Sequence, residues 1–183
     1  CCVLIFKITK KKLWCAIYGL NPFILFEALT DVQNDLYIAL FILLAIYFAI
    51  KKKNLFMSVL FIAIGTLVKY VAILALPFIV LYLLKDKEIK QKFIYGFMAL
   101  LEFFAIVIGC YLICFGSLGA LTNPWIQQSK YNSSLMYIIY LLSNKNMEFM
   151  AIIDKIVLAV FVIAYVIVVL NYYLNQIKHF VKL

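Results

Sequence analysis

Long runs of apolar residues alternate along the chain with short polar breaks, and six stretches stand out: 12–29, 36–50, 55–68, 70–84, 93–115 and 152–173. Each is continuously apolar instead of alternating, which argues against the strands of a transmembrane barrel and predicts helices. At about 1.5 Å of rise per residue, a helix needs about 20 apolar residues to cross a bilayer. The last two stretches meet that length. The second, third and fourth are shorter, so each must borrow flanking residues or sit in a locally thin bilayer. The opening run CCVLIF stops at Lys7 and reads as the tail of a span whose start lies upstream. It lacks the basic-then-apolar order of a secretory signal. The other end, NQIKHFVKL, has no terminating feature, so both ends read as truncated. The expected fold is all-α: a single, polytopic, membrane-embedded helical unit of about six spanning helices plus the tail of a truncated one.

Composition sharpens this picture. Of 183 residues, 68% are hydrophobic and 14% charged, whereas soluble domains are about half apolar and about a quarter charged. A soluble globular domain, a disordered chain and a disulfide scaffold are excluded. The 17 basic residues are all lysine, against 8 acids. A nucleic-acid binder would cluster its charge on a soluble face, often with arginine forks. Here the lysines punctuate apolar stretches, so membrane lipid is the expected partner and nucleic acid is not.

The lysines then set an orientation. They gather at Lys7, Lys10, Lys11 and Lys12, at Lys51, Lys52 and Lys53, at Lys85, Lys87, Lys90 and Lys92, and at Lys178 and Lys182, each group two crossings after the last. Thirteen of the 17 thus share one side, which the positive-inside rule makes cytoplasmic. The expected location is the cell membrane, multi-pass, with a bacterial plasma membrane favoured by the arginine-free, Ile-, Asn- and Tyr-rich composition. The outer side receives residues 30–35, the tight turn near Lys69 and a long loop, 116–150. That loop holds Asn123, Trp125, Gln127, Gln128 and Asn132, and its run 135–142 suits an interfacial or re-entrant helix. Trp14 and Trp125 read as interfacial anchors.

Candidate chemistry lies with the acids. Glu27, Asp31 and Asp35 fall within nine residues at i, i+4 spacing near the first outer turn. If one helix ran through the turn, all three would share a face. Carboxylates so close raise each other's pKa, invite a divalent cation or serve as a base. Lys69 ends the third stretch on the same side. It either snorkels to the interface or presents a cation to an anionic head group or phosphate. Glu102 lies roughly 13 Å into the fifth stretch. It either rests as a protonated carboxyl hydrogen-bonded to a neighbouring helix or marks a transport path. The five cysteines, Cys1, Cys2, Cys15, Cys110 and Cys114, read as small apolar core residues. His179 is the sole histidine, so no metal site is assigned. Asn21-Pro22 interrupts the first stretch and Pro77 the fourth, allowing kinks.

Residues 20–84 resemble the middle of bacterial polyprenol-phosphate-dependent glycosyltransferases of the GT-C class, nearest the mannosyltransferase-like group around glycosyltransferase family 87. The resemblance rests on Asn21-Pro22, Glu27, Asn34-Asp35 opening a span, the lysine break at 51–53, Lys69 and Leu76-Pro77. The family often has His-Asn-Asp where this chain has Gln33-Asn34-Asp35, which removes one candidate base. The resemblance implies transfer of a sugar, mannose in the nearest group, from a polyprenyl-phosphate carrier to a glycan or lipid acceptor on the outer face. It implies catalytic roles for Asp35 and, in support, Glu27, and substrate contacts for Lys69 and Asn34. Gln128, in the long outer loop, is a further candidate for substrate binding. The family's main acids lie in a first outer loop, expected here upstream of Cys1, so the stretch alone is expected to be inactive.

Two other readings remain at this level. A transporter or lipid flippase subunit would use Glu102 and the proline-broken spans, although no internal repeat relates the halves. A non-enzymatic assembly subunit would pack through small residues such as Gly109 with nearby Ala105.

Overall fold

The computed structural model describes residues 1–26, 35–116, 141–142 and 147–181, and every regular element among them is helical. They fall into two compact units, Cys1–Ile113 and Cys114–Leu183.

The first unit opens with a short hairpin of α1 (Cys2–Thr9) and α2 (Lys12–Gly19). Its turn holds Lys10 in the left-handed region at φ 60°, with its N–H donating to the Phe6 carbonyl. Cys15 Sγ donates to the Cys2 carbonyl at 3.3 Å and Cys2 Sγ to the Cys15 carbonyl at 3.8 Å. A Cβ at Gly19 would lie 3.1 Å from Cys2 Sγ, so glycine admits the thiol here. The cysteines therefore do not fill a core as the sequence suggests: Cys1 and Cys15 are half-buried, and Cys2 is exposed.

After α2 the chain breaks at Leu20 and Asn21 and restarts as α3 (Pro22–Phe26). Proline suits a first helical position, where its missing N–H has no intrahelical partner to lose. The expected span at 12–29 is thus not one helix.

The centre of the unit is an antiparallel pair, α4 (Asp35–Tyr47) and α5 (Leu55–Val68). A π-helical segment, Phe48–Lys52, prolongs α4 to the turn. Lys53 turns there at φ 48°, and Asn54 caps α5 by accepting a hydrogen bond from the Met57 N–H at 3.0 Å. Ser58 is fully buried and donates to the Asn54 carbonyl at 2.7 Å, so its hydroxyl enters the core satisfied. Asn54→Ala should cost about 1 kcal/mol through the lost cap, read as a lower unfolding midpoint in detergent.

Lys69, extended at φ −155°, ends α5, and a 3-10 segment, Tyr70–Ala75, leads into α6 (Leu76–Leu84). Pro77 sits in the first turn of α6. It therefore does not kink the middle of a span as the sequence suggests. The helix type changes just before it, where a proline's lack of N–H is tolerated.

α7 (Ile89–Phe115) closes the unit. It lays Ala99, Phe103 and Val107, at i, i+4, i+8, into a core shared with Ala45, Ala49, Val59, Ile62, Ala63, Leu76 and Ile79. Alanine recurs at these contacts, where its small side chain lets the helix backbones approach closely. Gly109 and Ala105 lie outside this core: among the described residues nothing comes within 4 Å of a Cβ built on Gly109, and Ala105 is exposed.

The second unit contributes α8 (Met147–Val181), 35 residues and about 52 Å long. Phe161 and Tyr165 stack along it at 6.3 Å.

Among the described residues two helices, α7 and α8, are long and apolar enough to cross a membrane. They contain the last two expected spans. The remaining stretches are helical yet shorter: α5 has 14 residues and α6 has 9, about 21 and 14 Å. The short second, third and fourth stretches are thus short helical segments, as their lengths in the sequence require. Asn21-Pro22 breaks the first stretch internally, whereas Lys53 and Lys69 bound their helices at the breaks the sequence shows.

Candidate functional site

The antiparallel register of α4 and α5 fixes which residues meet at their far end. Gly65 lies against Phe41: a Cβ built on it would be 3.3 Å from the Phe41 Cβ and 3.3 Å from the Ala72 Cβ. One glycine thus lets α4, α5 and the 3-10 segment approach at one point. One turn beyond it, Lys69 Nζ donates to Asp35 Oδ1 at 2.7 Å.

Local backbone explains why these two side chains reach each other. Asp35 is the first residue of α4, where a carboxylate is favoured by the positive end of the helix dipole. Lys69 stands alone between two helical segments. Its N–H caps the Gly65 carbonyl at 3.0 Å, and its own carbonyl accepts from the Ala72 N–H at 3.1 Å. That corner turns its side chain back over the end of the pair.

The two side chains remain 49% and 40% exposed for Lys69 and Asp35. Ion pairs this open contribute about 0–1 kcal/mol to stability, so the fold does not depend on this one. It leaves a cation and a carboxylate held together on an accessible surface, each able to change partner. Tyr70, next to Lys69, and Tyr37, two residues after Asp35, are also largely exposed. Sequence reasoning passed over them, and over Gly65. The signal for Gly65 was a glycine one helical turn before the lysine.

The other sequence-derived candidates divide clearly. Glu27, Asp31, Asn34 and Gln128 lie outside the described residues, as do Trp125 and most of the run 135–142. Among the described residues, no group of three His, Cys, Asp or Glu side chains could hold a metal ion. Asp35 already gives one oxygen to Lys69.

Glu102 lies on α7 beside Phe103, and its Oε1 is buried with no hydrogen-bond partner among the described residues. The expected bond to a neighbouring helix is not made by that atom.

Comparison with known proteins bears on the same part of the chain. No curated protein and no solved structure matches it. Residues 8–85, however, match the model of the MptA_B family, described as alpha-(1->6)-mannopyranosyltransferase, N-terminal domain. The matched residues run from α1 to the end of α6 and enclose both Asp35 and Lys69. This part of the chain is mannosyltransferase-like, and the similarity supports a glycosyltransferase.

Proposed function

We propose that the chain is part of an integral-membrane glycosyltransferase of the GT-C class. In this reading it moves a mannosyl residue from a polyprenyl-phosphate carrier to an acceptor hydroxyl on the outer face. The observation that carries it is the Lys69–Asp35 contact of 2.7 Å, within the mannosyltransferase-like part of the chain.

The chemistry follows from the two groups. An acceptor oxygen attacks the anomeric carbon, and the bond from that carbon to the carrier phosphate breaks. The acceptor proton passes to a carboxylate, the role assigned to Asp35. The departing lipid phosphate gains negative charge, which the Lys69 ammonium steadies. Before donor binds, Asp35 and Lys69 neutralise each other. The carrier phosphate takes Lys69 and releases Asp35 as a base, so donor binding readies the acceptor side. Glu27 supports the pocket wall, Asn34 and Gln128 contact substrate, and Tyr37 and Tyr70 offer ring faces to a sugar.

The proposed topology has about six crossings. The crossings are α2 with α3, α4 with its π-helical extension, α5, the 3-10 segment with α6, α7 and α8, the shorter ones through a locally thinned bilayer. The lysine turns are cytoplasmic and the Asp35–Lys69 end is outside. Membranes from cells expressing the protein from its own gene should transfer labelled mannose from a polyprenyl-phosphate donor. Absence of transfer with every such donor and acceptor tried, in membranes that contain the protein, overturns the reading. A chelator that abolishes transfer would show that the reaction requires a divalent cation.

Glu102 Oε1, buried without a hydrogen-bond partner among the described residues, favours one second reading, a transporter using a mid-helix carboxyl. The glycosyltransferase reading makes Glu102 a packing residue. Glu102→Leu should then raise the unfolding midpoint, by about 1 kcal/mol of relieved burial, and leave transfer intact. Loss of substrate movement across vesicles in that variant, without chemical change of substrate, would support the transporter.

A further inference from the structure

The end of the first unit opposite Asp35 and Lys69 gathers three lysine-rich turns that are far apart in sequence. α1 packs on α4, and Lys7 Nζ stands 5.9 Å from the centre of the Tyr47 ring. Tyr47 lies one helical turn before Lys51, so Lys7 and the lysine end of the α1–α2 hairpin fall towards the Lys51–Lys53 end of α4. The 3-10 segment touches α4, and α6 then touches the π-helical segment Phe48–Lys52. The chain therefore returns along α6 to the same end, carrying the Lys85–Lys92 turn with it. Eleven lysines converge there against two acids, Asp86 and Glu88. Ten of the eleven are exposed, and among the described residues none of them forms an ion pair.

Two further observations set this cluster apart from charge that merely solubilises a loop. Lys10 and Lys53 occupy left-handed backbone positions, at φ 60° and 48°, where glycine or asparagine would fit with less strain. Both turns keep a cation where the backbone favours another residue. Beneath the lysines lies a row of tyrosines: Lys7 over Tyr47, Lys85 over Tyr82 at 5.3 Å and Lys87 over Tyr95 at 5.9 Å. Apolar helix surface follows at once, with Phe93, Ile94 and Phe97 exposed on α7. Unpaired cations, then phenol rings, then hydrocarbon is the order of layers through a lipid leaflet.

We propose that this end is a binding surface for the phosphate head groups of anionic phospholipids, taken from the leaflet it faces. The three turns form one surface that holds such lipids in preference to zwitterionic ones. The inference rests on the chain's residing in a membrane and is independent of the sugar-transfer reading.

The test reconstitutes the protein in nanodiscs of phosphatidylcholine alone or with phosphatidylglycerol. Thermal unfolding and lipid retention by native mass spectrometry are the readouts. Phosphatidylglycerol should raise the unfolding midpoint by several degrees and be retained about threefold over phosphatidylcholine. The gain should shrink as salt rises from about 0.05 to about 0.5 M. A Lys10→Gly, Lys53→Gly variant removes two cations while easing two strained turns. It should be at least as stable as the parent in phosphatidylcholine and should lose much of the phosphatidylglycerol gain. Equal behaviour in the two lipids, or a variant that keeps the full gain, overturns the proposal. So does inorganic phosphate reproducing the gain without anionic lipid, which would make the surface a site for free phosphate. Failure to enter nanodiscs at all would instead overturn the membrane reading.

Discussion

Asp35→Asn and Lys69→Ala are each expected to lower sugar transfer about tenfold or more while leaving expression and unfolding midpoint nearly unchanged. The separation of the two effects is the substance of the prediction. The pair lies at the surface end of α4 and α5, outside the core formed by Val59, Ile62 and Phe103. Breaking it removes little stability. If the carboxylate takes the acceptor proton and the ammonium steadies the leaving phosphate, either loss strikes the reaction directly. The donor's affinity should then move in opposite directions. Asp35→Asn frees Lys69 from its neutralising partner, so a polyprenyl-phosphate analogue should bind more tightly. Lys69→Ala removes the cation, so it should bind more weakly. A charge reversal, Asp35→Lys with Lys69→Asp, distinguishes chemistry from architecture. It rebuilds an ion pair across the same gap but exchanges the roles. Recovery of transfer in the reversed protein would show that the pair is only a strut, and wild-type rates in both single variants would discard the assignment.

Gly65→Val is expected to destabilise the first unit by about 3 kcal/mol, and Gly65→Ala by about 1 kcal/mol, measured as unfolding in detergent. Gly→Ala in a helix ordinarily stabilises, by about 1 kcal/mol. The sign reverses here because both obstructing atoms, the Cβ of Phe41 and the Cβ of Ala72 at 3.3 Å, are fixed to backbone. Neither can swing away as the tip of a long side chain would, so α4 or the 3-10 segment must shift. Valine adds β-branching to the same overlap. Because Lys69 lies one turn beyond Gly65, the shift should also lengthen the Lys69–Asp35 contact. Transfer should fall in Gly65→Ala more than its stability loss explains. A stabilised Gly65→Ala would mean that the three segments have more room than the structure gives them.

These two expectations come from different levels of information. Continuous apolar runs punctuated by lysine, asparagine and proline were enough to place the helices: the stretch 55–68 is α5 residue for residue, and 93–115 and 152–173 lie inside α7 and α8. Local chemistry settles such matters, because a helix satisfies its own backbone and stops where capping or turn residues allow. Asp35 and Lys69 were legible as an acid and a cation beside breaks facing the same side. Their union at 2.7 Å was not, since it depends on the antiparallel register of α4 on α5, which Phe41, Gly65 and Ala72 set by contact. Helix length misled where hydropathy ran through a break: Leu20-Asn21 divides one expected span, and a 3-10 segment occupies the start of another. That lysine groups recur at 7–12, 51–53 and 85–92, two apolar stretches apart, could be read from the sequence. That three of their turns form one surface, with tyrosines beneath, was decided only when α6 returned along the pair. Sequence specifies what each segment can be, through forces acting over a turn or two. Which segments become neighbours is decided by packing between residues distant in the chain.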